Sequence, residues 1–307
     1  MVIASAMQPI WRFMVENNTQ LKEMIRSMVI DLLQGQKQEA ASSQPVKQAP
    51  RGQVEPGVFD TVDDAIQAAK AAQARFEDCT LATREKVIAD IRAAMRPRVQ
   101  ELAQKTVEET GMGRVADKVL KLNLTLDKTP GVEDLVTECE TGDNGMTLYE
   151  LSAYGVIGAI TPSTNPAETL ICNTIGMLAA GNAVFFSVHP GAKHLSRLLV
   201  SELNQIIAKS IGIENLIVTL REPSIESAQE MMLHPDVSLL VVTGGPGVVK
   251  QALQSGKKVI GAGAGNPPAF VDETADIKKA AQDIVLGASL DNNILCIAEK
   301  LSLIHIS

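Results

Sequence analysis

Between residues 155 and 261 the sequence alternates short apolar runs with helical stretches, and this alternation restricts the fold more than any other feature. The runs rich in β-formers are Gly155–Ile160, Ala183–Ser187, Leu216–Leu220, Leu239–Thr243 and Lys258–Gly261. Between them lie Ala167–Ala180, Ala192–Ser210, Ile225–Leu233 and Gly247–Ser255, each with helical character. Strands that are apolar throughout, rather than on alternate residues, are buried on both faces. The expected class is therefore α/β, a parallel sheet with helices on both sides. The spacing of the first runs is close to one βαβ unit, about 30 residues. Ligands of such sheets sit at the carboxyl ends of the strands. Three segments fall on that edge: Thr161-Pro-Ser-Thr-Asn-Pro166, Ser187-Val-His-Pro190 and Thr243-Gly-Gly-Pro-Gly247.

Upstream the pattern is helical. Asp60-Thr-Val-Asp-Asp supplies capping residues ahead of an Ala-rich helix. Helical periodicity then runs over Thr83–Thr110 and ends in Glu109-Thr-Gly-Met-Gly-Arg114. A further helical stretch leads to Thr129-Pro-Gly-Val, and Thr141-Gly-Asp-Asn-Gly145 reads as a polar turn. Near the start, apolar residues at 21, 24, 25, 28, 29, 32 and 33 form the stripe of an amphipathic helix over residues 20–33. Residues 34–56, rich in Gln, Ala, Ser and Pro, read as a flexible tether. A short helix on a tether either folds back on the body or docks on a partner. The expected division is thus 1–56 amphipathic helix and linker, 57–283 ligand-binding body with its preceding helices, and 284–307 the start of a further domain.

Composition removes several function classes. A net charge of -8 without a basic run argues against nucleic-acid binding, and 3% aromatics leave little for base stacking. Cysteines 79, 139, 172 and 296 show no paired spacing, so they read as reduced thiols of a cytoplasmic protein. Four histidines without ligand spacing predict no metal site. No apolar run reaches the length of a membrane span, so no membrane partner is expected.

Among residues that could carry chemistry, Cys296 follows Asn292 and Asn293 and is flanked by apolar neighbours. It is either a small core thiol or a nucleophile, which would need a partly open site. Thr243-Gly-Gly is either a phosphate-binding turn at a helix start or an ordinary tight βα turn. Gly261-Ala-Gly-Ala-Gly265 leads into Asn-Pro-Pro and cannot open a helix as the dinucleotide fingerprint requires. Asn165, before Pro166, is either an oxyanion donor or an Asx-turn residue.

Taken in order, Gly158-Ala-Ile-Thr-Pro-Ser-Thr-Asn-Pro166, Leu178-Ala-Ala-Gly-Asn182, Thr243-Gly-Gly and Cys296-Ile-Ala-Glu-Lys300 resemble the aldehyde dehydrogenase superfamily. More narrowly, Glu109-Thr-Gly-Met-Gly113, Thr129-Pro-Gly-Val-Glu133, His189-Pro-Gly-Ala-Lys193, Gly261-Ala-Gly-Ala-Gly-Asn-Pro-Pro268 and Val271-Asp-Glu-Thr-Ala-Asp276 resemble its CoA-acylating branch, the propionaldehyde and acetaldehyde dehydrogenases of bacterial microcompartments. The likeness covers about residues 58–300. It implies a Rossmann-type cofactor domain and Cys296 as the residue that attacks the aldehyde. Asn165 and the Cys296 backbone N–H would hold the oxyanion, hydride would pass to NAD rather than NADP, and CoA would take the acyl group. It places Thr161, Pro162, Ser163, His189, Thr243, Gly244, Gly245 and Gly263 around the cofactor. It further implies a homo-oligomer, location inside a microcompartment, and docking of residues 20–33 on a shell protein.

Two departures qualify the likeness. Hydrolytic members carry Lys where this chain has His189. They also keep a glutamate base in a Glu-Leu-Gly-Gly run, where this chain has Gly261-Ala-Gly-Ala-Gly265 without a carboxylate. Lacking a base to activate water, the acyl-enzyme would await a thiol, which favours acyl-CoA over free acid. A hydrolytic enzyme and a non-catalytic fragment that binds NAD or a shell protein are the alternatives. The family continues past its cysteine, so the expectation for 307 residues is an incomplete catalytic domain and weak or no activity. Residues 301–307 do not resemble the family's next strand and read as a foreign or truncated tail.

Overall fold

A computed structural model describes residues 55–263 and 265–304. The amphipathic helix expected at residues 20–33 and its tether lie outside the described residues, as do residues 305–307. The described residues form one compact unit.

The chain enters through β1 (Val58–Phe59) and then runs through four helices. They are α1 (Val62–Glu77), α2 (Leu81–Met95), α3 (Val99–Thr110) and α4 (Val115–Lys128). Thr61 and Thr80 cap the first two, their hydroxyls accepting the N–H of Asp64 and Thr83. The helical periodicity expected to continue over Thr83–Thr110 is broken into two helices by a 3-10 turn at Arg96-Pro97-Arg98, because Pro97 has no N–H to continue the ladder. Gly111, at φ 65°, ends α3 in the left-handed region where a Cβ is penalised. The polar turn near residue 143 joins two strands that apolar content does not reveal, β2 (Glu138–Gly142) and β3 (Gly145–Tyr149). They pair antiparallel and every residue in them is exposed, so no buried face imposes an alternating pattern.

The expected alternation then follows: β4 (Val156–Ile160), α5 (Pro166–Ala179), β5 (Ala183–Ser187), α6 (Lys193–Ile211), β6 (Ile217–Leu220), α7 (Ile225–Leu233), β7 (Val237–Thr243), α8 (Pro246–Leu253) and β8 (Lys258–Ala262). β1, β4, β5, β6, β7 and β8 form one sheet in the order β1-β6-β5-β4-β7-β8, and each neighbouring pair is parallel. β4, β5 and β6 are buried at every residue, as continuous apolar runs require. Side chains press against the β4 backbone here: a Cβ on Gly158 would stand 2.2 Å from the Met231 sulfur. The order reverses at β4, whose two neighbours are β5 and β7. That switch point falls at the carboxyl ends of β4 and β7, where sheets of this kind leave a crevice for ligands.

The last elements are β9 (Pro268–Val271), α9 (Ile277–Ser289) and β10 (Leu301–Ile304). Within the stretch 301–307, residues 301–304 form a strand. They pair parallel to β9, from Leu301 opposite Pro268 to Ile304 opposite Val271. Such pairing satisfies backbone groups whatever the side chains are, so composition does not reveal it. β8 is an edge strand of the large sheet, and its Ile260 is 55% exposed beside an open apolar cleft of about 410 Å3 lined by Ile157, Met177 and Val241.

Candidate active site

The crevice at the switch point is built from four loops. Thr161–Asn165 follows β4, Val188–His189 follows β5, Thr243–Gly245 follows β7, and residues 263–267 follow β8. A fifth segment, residues 290–300 after α9, brings in Cys296.

Cys296 is exposed, which removes the core-thiol alternative. Its carbonyl accepts the N–H groups of Gly265 (3.2 Å) and Asn266 (3.1 Å). A Cβ on Gly265 would stand 2.9 Å from that same oxygen, so the glycine permits the approach. The glycine-rich run after β8 therefore lies directly against the cysteine turn. Among the described residues nothing accepts from the Cys296 N–H.

The turn reaches Cys296 by an unusual backbone path. Asp291, Asn292 and Asn293 have φ of 50°, 55° and 61°, three consecutive left-handed residues. Asn and Asp tolerate this region better than other non-glycine residues. Their side chains also fasten the turn. Asn293 Nδ2 donates to the carbonyls of Ala288 (2.5 Å) and Glu299 (3.0 Å), and Asn292 Nδ2 donates to that of Gly113 (3.3 Å). From the other side, Lys300 Nζ donates to the carbonyls of Asn293 (3.0 Å) and Leu295 (2.9 Å).

Asn165 starts α5, yet its side chain makes no cap hydrogen bond, so the Asx-turn alternative fails. Its Oδ1 instead accepts from two ammonium groups, Lys121 Nζ and Lys118 Nζ (3.3 Å). Its Nδ2 keeps only a 3.3 Å contact to the Thr164 hydroxyl. An ammonium can only donate, so the carboxamide oxygen must face the lysines and the NH2 group must face away. An amide held this way can donate to an oxygen that develops negative charge.

Both lysines project from α4 and are buried, Lys118 completely. Lys118 Nζ also donates to the Thr164 carbonyl (2.5 Å) and lies 3.1 Å from Asp291 Oδ2. Lys121 Nζ stands 2.5 Å from the same Asp291 oxygen and 3.3 Å from Glu168 Oε1. Burial pushes the Lys118 ammonium below the ordinary lysine range and the Lys121 charge adds to this, while Glu168 and Asp291 oppose it. Burial alone would raise the Asp291 carboxyl. The hydrogen bonds from Lys121 and the Arg114 N–H outweigh that and hold it below the ordinary carboxylate value. None of Lys118, Lys121, Glu168 and Asp291 is evident from motif matching. The available signal was two lysines on the α4 face that also buries Leu122 and Leu126.

The remaining candidates sit as follows. Thr161 is 2% exposed, its N–H donates to the Ser187 carbonyl, and its hydroxyl has no partner. Pro162 and Ser163 are half-buried beside it, and Thr243 and Gly244 are half-buried across the switch point. The Gly244 N–H donates to the Ala262 carbonyl (3.2 Å), so it prolongs the sheet. Gly245 is exposed, with nothing within 4 Å of where a Cβ would stand; the same holds for Gly263. His189 Nδ1 accepts the Gly191 N–H (3.0 Å), which leaves its outer edge on the exposed rim. A partnerless buried hydroxyl at the switch point and open glycines at the start of α8 fit a dinucleotide laid across this edge.

The profile of the aldehyde dehydrogenase family matches residues 33–307. The chain is 50% identical over 284 residues to the CoA-propanoylating propanal dehydrogenase of Salmonella typhimurium, covering 92% of this chain and 59% of that protein. It is similar to the structure of a propionaldehyde dehydrogenase from the Clostridium phytofermentans fucose utilisation bacterial microcompartment. That likeness has 52% identity and a TM-score of 0.79, over 81% of this chain and 57% of the other. It is also similar to Rhodopseudomonas palustris propionaldehyde dehydrogenase with bound CoA and an acylated cysteine, with 52% identity and a TM-score of 0.78, over 82% and 58% of the two chains. The chain thus spans about three fifths of the length of these relatives.

Proposed function

This chain belongs to the aldehyde dehydrogenase family, and from that membership and the geometry of its crevice we propose that it takes part in CoA-acylating oxidation of a short-chain aldehyde. The observation that carries the reading is the packing of the glycine-rich run against Cys296, a run with no carboxylate to activate water. Similarity to the CoA-propanoylating enzyme supports the same product class.

In this reading the Cys296 thiolate adds to the aldehyde carbon and the carbonyl π pair moves to oxygen. The Asn165 Nδ2 and the free Cys296 N–H donate to that oxyanion. A nicotinamide cofactor held at the switch point would supply the hydride acceptor. Thr161, Pro162 and Ser163 would flank it on one side, Thr243, Gly244 and Gly245 on the other, with Gly263 and His189 at the rim. The oxyanion collapses as hydride leaves, and Cys296 carries a thioester. The thiolate of CoA then attacks the acyl carbon, and the Cys296 sulfur leaves. NAD rather than NADP is part of the proposal, as are residues 57–283 as the cofactor-binding body and assembly into a homo-oligomer.

The test uses the protein produced from its complete open reading frame. Aldehyde and NAD without CoA are expected to give at most one NADH per site and an acyl adduct on Cys296 by intact mass. Adding CoA is expected to start turnover and yield acyl-CoA. Steady NADH formation and free acid without CoA would overturn the reading in favour of a hydrolytic enzyme.

No helix among the described residues is long and apolar enough to cross a membrane. The proposed location is the lumen of a bacterial microcompartment, supported by the similarity to a microcompartment enzyme and by the amphipathic stripe at residues 20–33. Deleting residues 20–33 is expected to abolish co-purification with shell particles while leaving NADH formation within about twofold. Retained co-purification would refute the docking role.

A further inference from the structure

We infer that Lys121, assisted by Lys118, is a positioning residue that sets the direction of the Asn165 amide and ties it to the turn carrying Cys296. The inference rests on the proposed role of Asn165 as an oxyanion donor.

Lys121 Nζ joins the two halves of the site. It donates to Asn165 Oδ1 at the end of β4 and to Asp291 Oδ2 (2.5 Å), five positions before Cys296. Lys118 repeats both links at 3.3 and 3.1 Å. Turning the Asn165 carboxamide by 180° would set its NH2 against two ammonium groups, so the cations hold the donor in one orientation. Asp291 is the first of the three left-handed residues, and its Oδ1 also accepts the Arg114 N–H (2.9 Å). A Cβ on Gly113 would stand 2.2 Å from that oxygen, so the loop before α4 has no slack against the carboxylate.

The charges balance locally, with two ammonium groups facing the carboxylates of Glu168 and Asp291. Burying this set is costly unless the geometry is good, and aliphatic side chains would fill the α4 face without that cost. What aliphatic residues could not do is aim the Asn165 amide or fasten Asp291. Neither lysine is proposed to touch the reacting atoms, so their effect passes through Asn165 and the turn.

A double-mutant cycle with a parallel hydrogen-exchange measurement decides the point, again on the complete protein. Asn165→Ala is expected to lower kcat of aldehyde-dependent NADH formation about a hundredfold. Lys121→Met is expected to lower it about tenfold, with KM for the dinucleotide within about twofold. The double variant should be no slower than Asn165→Ala alone, because the lysine acts through the missing amide. Additive losses, or full activity in Lys121→Met, would overturn the inference. If Lys121→Met does not fold, Lys121→Gln keeps a polar donor without the charge, on a side chain one atom shorter, and enters the same cycle. Backbone exchange at residues 291–296 is expected to rise at least about tenfold in the lysine variant, with β4 to β7 unaffected. That readout needs no turnover, so a wild-type protein that oxidises no aldehyde would refute the function while the exchange still decides the tether. Unchanged exchange would refute the tether.

Discussion

Cys296→Ala is expected to lower aldehyde-dependent NADH formation by at least about three orders of magnitude, because no thiohemiacetal can form without the thiol. The turn should keep its shape. Its fastenings are the Cys296 carbonyl, the Asn292 and Asn293 amides and Lys300, and none of them uses the sulfur. Dinucleotide affinity is therefore expected to stay within about threefold, measured by fluorescence titration beside the kinetic assay. The acyl adduct seen by intact mass in the wild type should vanish from the variant. Residual activity within tenfold of wild type would remove Cys296 from the chemistry.

Asp291→Ala should produce the largest loss of stability. Its carboxylate is fully buried, and its removal leaves Glu168, whose oxygens make no hydrogen bond, as the one carboxylate recorded beside Lys121 among the described residues. Breaking a buried charge set from one side costs about 3–5 kcal/mol. The urea midpoint should fall accordingly with little change in slope. The carboxyl also links stability to pH. Its folded pKa lies below the unfolded one, so its contribution is complete above about pH 5. It declines as pH falls past the ordinary carboxylate value, and is gone below the lower folded value. Asp291→Asn should accordingly show a shallower loss of stability in acid. An unchanged midpoint in Asp291→Ala would mean that the lysines find other partners or water.

What the sequence revealed follows from what burial imposes on it. β4, β5 and β6 are enclosed on both faces, so their apolar runs mark them, and Ala183–Ser187 and Ile225–Leu233 match the expected limits. Cys296 and Asn165 stand in motifs whose order identifies the family. β2 and β3 gave no signal because no packed face selects their residues. The lysine cluster was hidden for the opposite reason. A lysine in a helical stretch reads as a solvated face, and only the approach of residues 165 and 291 to α4 turns that face inward. Asn292 and Asn293 invite a chemical reading beside a nucleophile, yet their left-handed backbone already accounts for the residue type.

Glu109 has a wider consequence. Its two carboxylate oxygens accept the N–H groups of His194 and Leu195 at 2.8 and 2.7 Å, at the start of α6. Of the helices that begin beside the candidate cofactor loops, α5 and α8 start without a side-chain cap. The edge is thus electrostatically uneven. Where α6 begins, beside His189, a fixed negative group has cancelled the attraction a helix terminus offers to anions. A ligand with one charged and one neutral end would meet an attractive field on the β4–β7 side and a quenched one past β5, and would lie down in one direction only.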